Sequence, residues 1–181
     1  MFAHLKKMQH NPKKILIVGS SGAGKSTLAK ELSVKWNVPV IHLDVIYWQP
    51  GWVALPKKEF IAQLEKTLQN PEWIIDGNFD STLEYRLQYA DTIIYLDYSK
   101  YVCLYRAFKR VWKYRGKTRP DMGKECPEKM DIEFFQWIWR FPKDIRPKMM
   151  SRLAKSNATV YMFLSPKETK NWLQTQRKAT E

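Results

Sequence analysis

The chain has 181 residues, enough for one domain with a full hydrophobic core, and its 44% hydrophobic content excludes a disordered chain. Its formal net charge is +13, and residues 100–155 hold 16 Lys/Arg against 6 Asp/Glu, which indicates a polyanionic partner. No apolar run approaches about 20 residues, residues 1–14 are too polar for a secretory signal, and Cys103 and Cys126 form no metal pattern, so we expect a cytoplasmic protein without a membrane partner.

A phosphate-binding loop is predicted near the start of the chain. A buried strand, Ile15–Val18, precedes it, and a helix with Leu28, Leu32 and Trp36 at helical spacing follows it. Backbone N–H groups, the helix dipole and Lys25 can surround phosphates there, while the Ser26 hydroxyl can bind Mg²⁺. We therefore expect ATP to bind residues 19–27, which are Gly19, Ser20, Ser21, Gly22, Ala23, Gly24, Lys25, Ser26 and Thr27.

Five short apolar runs separated by helical sequence predict an α/β fold with a parallel sheet covered on both faces. With the phosphate loop this is the three-layer α/β/α arrangement of a P-loop NTPase. The predicted strands are Ile15–Val18, Val38–Leu43, Trp73–Ile75, Thr92–Leu96 and Thr159–Leu164.

Two insertions interrupt a single predicted domain, 1–181, whose core is 14–44, 72–112 and 131–181. The first, 45–71, holds a Trp-Pro-Gly loop and one amphipathic helix; the second, 113–130, is predicted to be a mobile, charged surface loop. Asp131 is a predicted N-cap for a helix that ends at Pro142. The helix before the second insertion is predicted to bury Tyr101, Leu104, Tyr105, Phe108, Val111 and Trp112, with Arg106, Lys109, Arg110 and Lys113 on the opposite face.

Three predicted strands end in Asp44, Asp76 and Asp97, and the carboxyl ends of parallel strands lie at the edge where ligands bind. Asp76 and Asp97 are alternative partners of Mg²⁺. Asp44 is placed to orient or deprotonate an acceptor hydroxyl, although it could equally be an ordinary polar residue at a strand end. His42 is expected to pack in the core.

The insertions and several motifs give the chain a family resemblance. The motifs are Ile41–Asp44, Tyr47–Trp52, Trp73–Phe79 and Tyr114–Met122. The chain resembles the adenylate kinase and shikimate kinase branch of P-loop proteins and, more closely, the bacterial family called DNA topology modulation protein FlaR.

The resemblance implies roles for both insertions and for several residues. Segment 45–71 would bind the acceptor, and segment 113–130 would be the lid. Asp76 would help to hold Mg²⁺, Arg106 and Arg110 would bind phosphate, and Arg140 and Arg146 would supply further arginines. Adenylate kinases place an arginine for the acceptor phosphate shortly after the matching Asp-Gly. Here none follows Asp76-Gly77 before Arg86, which argues against a nucleoside monophosphate acceptor.

The leading prediction is therefore an ATP- and Mg²⁺-dependent kinase of a small acceptor, with Lys25, Arg106, Arg110 and Asp44 in catalytic roles and Ser26 and Asp76 at the metal. Two alternatives stay open. The basic region 100–155 could bind nucleic acid and affect DNA topology, or the protein could be an ATP-binding regulator with weak hydrolysis.

Overall fold

A computed structural model describes residues 12–176. It confirms the predicted α/β architecture: five parallel strands form one sheet. Most of the segment considered for a secretory signal lies outside the described residues. In chain order the sheet strands are β1 (Lys14–Gly19), β2 (Val40–His42), β5 (Trp73–Asp76), β6 (Thr92–Leu96) and β7 (Thr159–Phe163). Across the sheet their order is β2-β5-β1-β6-β7.

Helices cover both faces of the sheet, and the buried side chains of the central strands alternate between the two cores that these helices enclose. Ile15 and Ile17 of β1 point into one core, and Leu16 and Val18 point into the other. The helices are α1 (Lys25–Trp36), α2 (Leu43–Tyr47), α3 (Lys57–Leu68), α4 (Asp80–Leu87), α5 (Lys100–Lys113), α6 (Ile132–Asp144), α7 (Arg146–Lys155) and α8 (Pro166–Thr175).

The second strand is shorter than predicted, because the chain turns into α2 at Leu43. Asp44 therefore lies in the first turn of a helix and does not end a strand. Asp131 caps α6 as predicted, its carboxylate accepting a hydrogen bond from the Phe134 amide at 3.1 Å. Pro142 lies inside α6, in the last turn of the helix. Proline has no backbone N–H, so the helix lacks one backbone hydrogen bond at this position.

The predicted buried face of α5 is wrong. Tyr101, Tyr105, Phe108 and Trp112 are exposed, and Leu104 is only partly buried. Of the predicted residues only Val111 is fully buried, and Cys103 and Ala107 form the rest of the buried face. Small side chains face inward because α5 lies directly against the phosphate loop. A Cβ atom at Gly22, where φ is +80°, would collide with the Cys103 carbonyl oxygen. This close approach also turns Arg106 and Arg110 toward the loop.

Both insertions are ordered and touch each other. In 45–71, a small antiparallel hairpin of β3 (Trp48–Gln49) and β4 (Val53–Ala54) surrounds a 3₁₀ turn, Pro50–Trp52. Segment 113–130 contains no long helix or strand, as predicted, but it is well packed. It buries Met122 and Cys126 as well as two charged side chains, Arg119 and Glu128.

Candidate active site

The phosphate loop joins β1 to α1 at the edge where the central strands end. The Lys25 ammonium folds back over the loop and donates a hydrogen bond to the Ser20 carbonyl oxygen at 3.1 Å. Burial lowers the pKa of Lys25, and the Asp76 and Asp44 carboxylates nearby oppose part of that effect. The first turn of α1 and this cation give the loop a strong positive potential.

A hydrogen-bonded chain runs from the loop to the neighbouring strands. Ser26 Oγ donates to Asp76 Oδ2 at 2.6 Å, and His42 Nδ1 lies 2.5 Å from Asp76 Oδ1. The parallel register sets this contact, since His42 pairs directly with Asp76 across β2 and β5. His42 does not belong to either core cluster, contrary to the prediction. It is partly buried and is a partner of the Asp76 carboxylate, which the sequence did not indicate.

The Ser26 hydroxyl and the Asp76 carboxylate are hard oxygen donors, which fit Mg²⁺. Within residues 12–176 no group of three or more His, Cys, Asp or Glu side chains is arranged to hold a metal ion unaided. A magnesium ion here would thus take most of its ligands from water and phosphate, as is usual for this ion.

Asp97, the alternative metal partner, is occupied elsewhere. The Arg146 guanidinium binds its carboxylate with both Nε and Nη2, at 2.9 and 2.8 Å, and Tyr95 Oη donates to it at 3.2 Å. Arg146 is therefore turned to the end of β6. Arg140 is exposed and lines a cleft of about 270 Å³ along α6 that contains none of the other predicted site residues.

Two arginines of α5 reach the phosphate loop. Arg106 Nη1 donates to the Ala23 carbonyl oxygen at 3.2 Å, and Arg110 Nη1 donates to Ser21 Oγ at 3.5 Å. They are four residues apart and share one helix face, so the loop and both guanidinium groups form a single basic surface.

The second insertion brings a charged cluster onto this surface. Glu128 Oε1 lies 2.5 Å from Arg119 Nε and 3.2 Å from Arg110 Nε, and Asp121 accepts a hydrogen bond from Arg119 Nη1 at 2.8 Å. Burial opposes the ionisation of Asp121, but the Arg119 guanidinium helps to hold the pKa of its carboxyl below the ordinary value. Nothing in the sequence pattern of 113–130 indicated that its charges would be buried and paired.

The two insertions close over the site together. The Gly51 amide donates to the Glu125 carbonyl oxygen at 3.0 Å, and Trp52 Nε1 donates to that of Pro127 at 3.1 Å. Gly123 lies so close to the Trp48 backbone that no side chain would fit there. Trp52 thus fastens its loop to the second insertion.

Asp44 lies in the first turn of α2, close to Lys25. Burial raises the pKa of its carboxyl, and the nearby Lys25 ammonium opposes the shift. Other charged groups close enough to interact with it are Asp76, Arg119, Asp121 and Arg110. A partly buried carboxyl beside the phosphate lysine is chemically suited to accept a proton from a hydroxyl.

Two further residues, Asn78 and Arg86, organise the loop after β5, and the sequence pattern did not indicate this role. The Asn78 amide binds the Gly19 backbone twice: its Oδ1 accepts from the Gly19 amide at 3.0 Å and its Nδ2 donates to the Gly19 carbonyl at 2.8 Å. Arg86, which is fully buried, donates to the carbonyl oxygens of Gly77, Asn78 and Phe79. These contacts tie the loop after β5 to the first residue of the phosphate loop.

No family model matches the chain. A 62-residue stretch is 36% identical to cytidylate kinase from Aquifex aeolicus, and it covers 34% of this chain and 28% of that enzyme. The chain thus spans less than a third of the length of the curated relatives it matches.

Solved structures of kinases share the fold over nearly the whole chain. Shikimate kinase from Acinetobacter baumannii, in complex with shikimate, superposes with a TM-score of 0.60 and 15% identity, over 90% of this chain and 89% of that one. A gluconokinase from Sinorhizobium meliloti gives a TM-score of 0.54 and 14% identity, over 92% and 94%. The chain therefore has the P-loop kinase fold. None of the helices within residues 12–176 is both long and apolar enough to cross a membrane.

Proposed function

We propose that this protein is a kinase that transfers the γ-phosphoryl group of ATP to a hydroxyl group of a small acceptor. The observation that carries the proposal is the convergence of three cations, Lys25, Arg106 and Arg110, on one phosphate loop that also lies near a partly buried carboxyl, Asp44. Phosphoryl transfer needs positioned positive charge around the phosphates more than it needs covalent chemistry.

On the donor side, residues 19–27 would bind the triphosphate through backbone N–H groups, and Lys25 would contact its terminal phosphates. Arg106 and Arg110 would stabilise the negative charge that spreads over the transferred group. Ser26 and Asp76 would hold Mg²⁺, which supplies further charge neutralisation when it is bound. Asp44 would orient the acceptor hydroxyl and take its proton.

Membership of the FlaR family and a cytoplasmic location remain predictions from the sequence. The nucleic-acid alternative has no support from the comparisons, and the structure accounts for part of the basic surplus in 100–155. Arg110, Arg119, Arg146 and Arg152 each pair with a carboxylate inside the chain. No specific contact favours a second function.

The proposal is tested by screening small hydroxylated acceptors with ATP and Mg²⁺, measuring ADP release and identifying the product by its mass. We expect Lys25→Ala to lower kcat/KM by at least about 100-fold, because a cation positioned at the developing charge is lost. Lys35→Ala, at the far end of the same helix, is the matched control and should leave activity unchanged.

ATP binding is measured separately by thermal unfolding. At about 100 times its Kd, ATP with Mg²⁺ should stabilise the protein by about 2.7 kcal/mol, and Lys25→Ala should reduce that gain. Slow hydrolysis with no acceptor phosphorylated would favour the regulatory alternative. Tight duplex DNA binding that ATP does not displace, with a steep salt dependence, would defeat a purely kinase function.

A further inference from the structure

The loop after β5 is followed by one arginine, Arg86, and both of its terminal nitrogens are bound to the backbone of that loop. Its Nη1 donates to the Gly77 carbonyl oxygen at 2.9 Å, and its Nη2 donates to those of Asn78 and Phe79. Its side chain is entirely buried. Burial lowers the pKa of Arg86 to about 9, so it is still a cation at neutral pH. That charge serves the loop backbone and has no surface to offer a ligand.

The other cations near Asp44 are also committed. The charged side chains that influence Asp44 include Lys25, Asp76, Arg119 and Asp121. Arg110 also interacts with Asp44, but its guanidinium is already paired with Glu128 at 3.2 Å and contacts the phosphate loop at Ser21. Lys25 belongs to the phosphate loop. Arg119 is held between two carboxylates, Asp121 at 2.8 Å and Glu128 at 2.5 Å. Each of the cations that influence Asp44 within residues 12–176 is therefore already bound to a carboxylate or to the phosphate loop.

Aromatic side chains complete the Asp44 side of the site. Tyr47 lies three residues after Asp44 on α2, hence on the same face of that helix. Its ring packs against Phe79 and Phe60, with centroids 4.8 and 5.2 Å away. Phe79 belongs to the loop that Arg86 holds, and it adopts a left-handed backbone conformation with φ of +32°. The ordered loop therefore presents an apolar, flat surface next to a carboxyl.

We infer that the acceptor is an uncharged alcohol with an apolar or aromatic ring face, and that an acceptor bearing a phosphate or carboxylate is rejected. This inference rests on the proposed kinase function and specifies its substrate class. An anionic group placed among Asp44, Asp76 and Asp121 would lose its hydration without gaining a cation, which is strongly unfavourable. A ring would gain contact with Tyr47 and Phe79, and its hydroxyl would meet Asp44.

The test compares acceptors in matched pairs that differ only by the charged group: nucleosides with their 5′-monophosphates, and methyl esters of cyclic hydroxy acids with the free acids. ADP release, corrected for hydrolysis, gives kcat/KM, and product mass confirms transfer. We expect the neutral member of the productive pair to have a kcat/KM at least about 100-fold higher. If the nucleoside pair is the productive one, the ring is a nucleobase; if the cyclic hydroxy-acid pair is productive, the ring is a carbocycle.

Two variants probe the cause. Glu128→Gln with Asp121→Asn releases both Arg119 and Arg110 from their carboxylate partners and should raise kcat/KM for the anionic member at least about tenfold relative to the neutral one. Tyr47→Ala should raise KM for the neutral acceptor with little change in kcat, whereas Val45→Ala, at an exposed position of the same helix, should change neither.

Preference of the unmodified protein for the anionic member would overturn the inference and leave the kinase function standing. If no acceptor of either kind is phosphorylated while ATP binds and is slowly hydrolysed, the proposed function fails and the inference fails with it. An unchanged preference in the Glu128→Gln, Asp121→Asn variant would show that charge pairing at Arg119 and Arg110 does not set the specificity.

Discussion

The Asp44 carboxyl combines burial with a position beside the phosphate lysine, and this gives the stability of the protein a defined pH dependence. Burial raises the pKa of Asp44 in the folded state above the ordinary 3.8. Between the unfolded and folded pKa values the native state binds more protons than the unfolded state, so this group's contribution to stability falls as pH rises. Asp44→Asn removes that loss. We expect its Tm relative to the unmodified protein to increase from pH 4 to pH 8.

Thermal unfolding followed by circular dichroism at several pH values measures the difference. Asp144→Asn, which removes an exposed carboxylate at the end of α6, is the matched control and should show no such trend. A difference in Tm between Asp44→Asn and the unmodified protein that is constant with pH would mean that Asp44 ionises in the native state as easily as in water.

Arg86 shows how one buried cation can serve backbone geometry. Three carbonyl oxygens depend on it, and Arg86→Met would leave them without this donor at nearly unchanged side-chain volume. Unsatisfied buried acceptors cost about 1–3 kcal/mol each, partly offset because the charge no longer needs to be buried. We expect a loss of about 3 kcal/mol in the free energy of unfolding, measured by urea titration. Arg140→Met, on the exposed face of α6, should change it by less than about 0.5 kcal/mol.

At the scale of a single element, α5 gives the sharpest test of packing, since adjacent residues have opposite environments. Val111 is 3% exposed and Trp112 is 72% exposed. Val111→Ala removes buried methyl groups and should cost about 1–2 kcal/mol, whereas Trp112→Ala should cost less than about 0.5 kcal/mol despite deleting a much larger side chain.

Urea unfolding of the two variants decides between the observed helix face and the one that the pattern of large side chains predicts. The predicted face requires the reverse order, with Trp112→Ala the more costly substitution. Far-UV circular dichroism of both variants checks that helix content is retained.

The separation of interacting residues along the chain decides which features of the structure the sequence predicts. The strands and the phosphate loop were predictable because their signals are local: β-branched runs, glycines and one Lys-Ser pair at fixed spacing. The buried face of α5 was not predictable from the sequence. Gly22, which is 81 positions before Cys103, packs directly against it, and this contact requires small side chains that the hydrophobic pattern does not indicate. The Asn78–Gly19 pair and the Arg119–Glu128 pair likewise join segments that no local pattern relates.

At the scale of the whole molecule, the net charge of +13 exceeds what one bound triphosphate can neutralise. A globule of this length has a radius of gyration of about 16 Å. The Debye length is about 30 Å at 0.01 M salt and about 8 Å at 0.15 M, so charges repel across the entire molecule only at the lower concentration. We expect Tm to rise by a few degrees between these concentrations of sodium chloride at pH 7.

Salt also weakens ion pairs, and the two effects have opposite signs. The exposed pairs, such as Lys13 with Glu72, contribute at most about 1 kcal/mol each, so the net repulsion should prevail. Lys143→Glu with Lys148→Glu, both at exposed helix positions, lowers the net charge by four and should reduce the dependence of Tm on salt. A Tm that falls with salt, or a dependence that the double variant leaves unchanged, would mean that local ion pairs outweigh the repulsion. The positive surplus would then be balanced within the fold, leaving less of it to attract a polyanion.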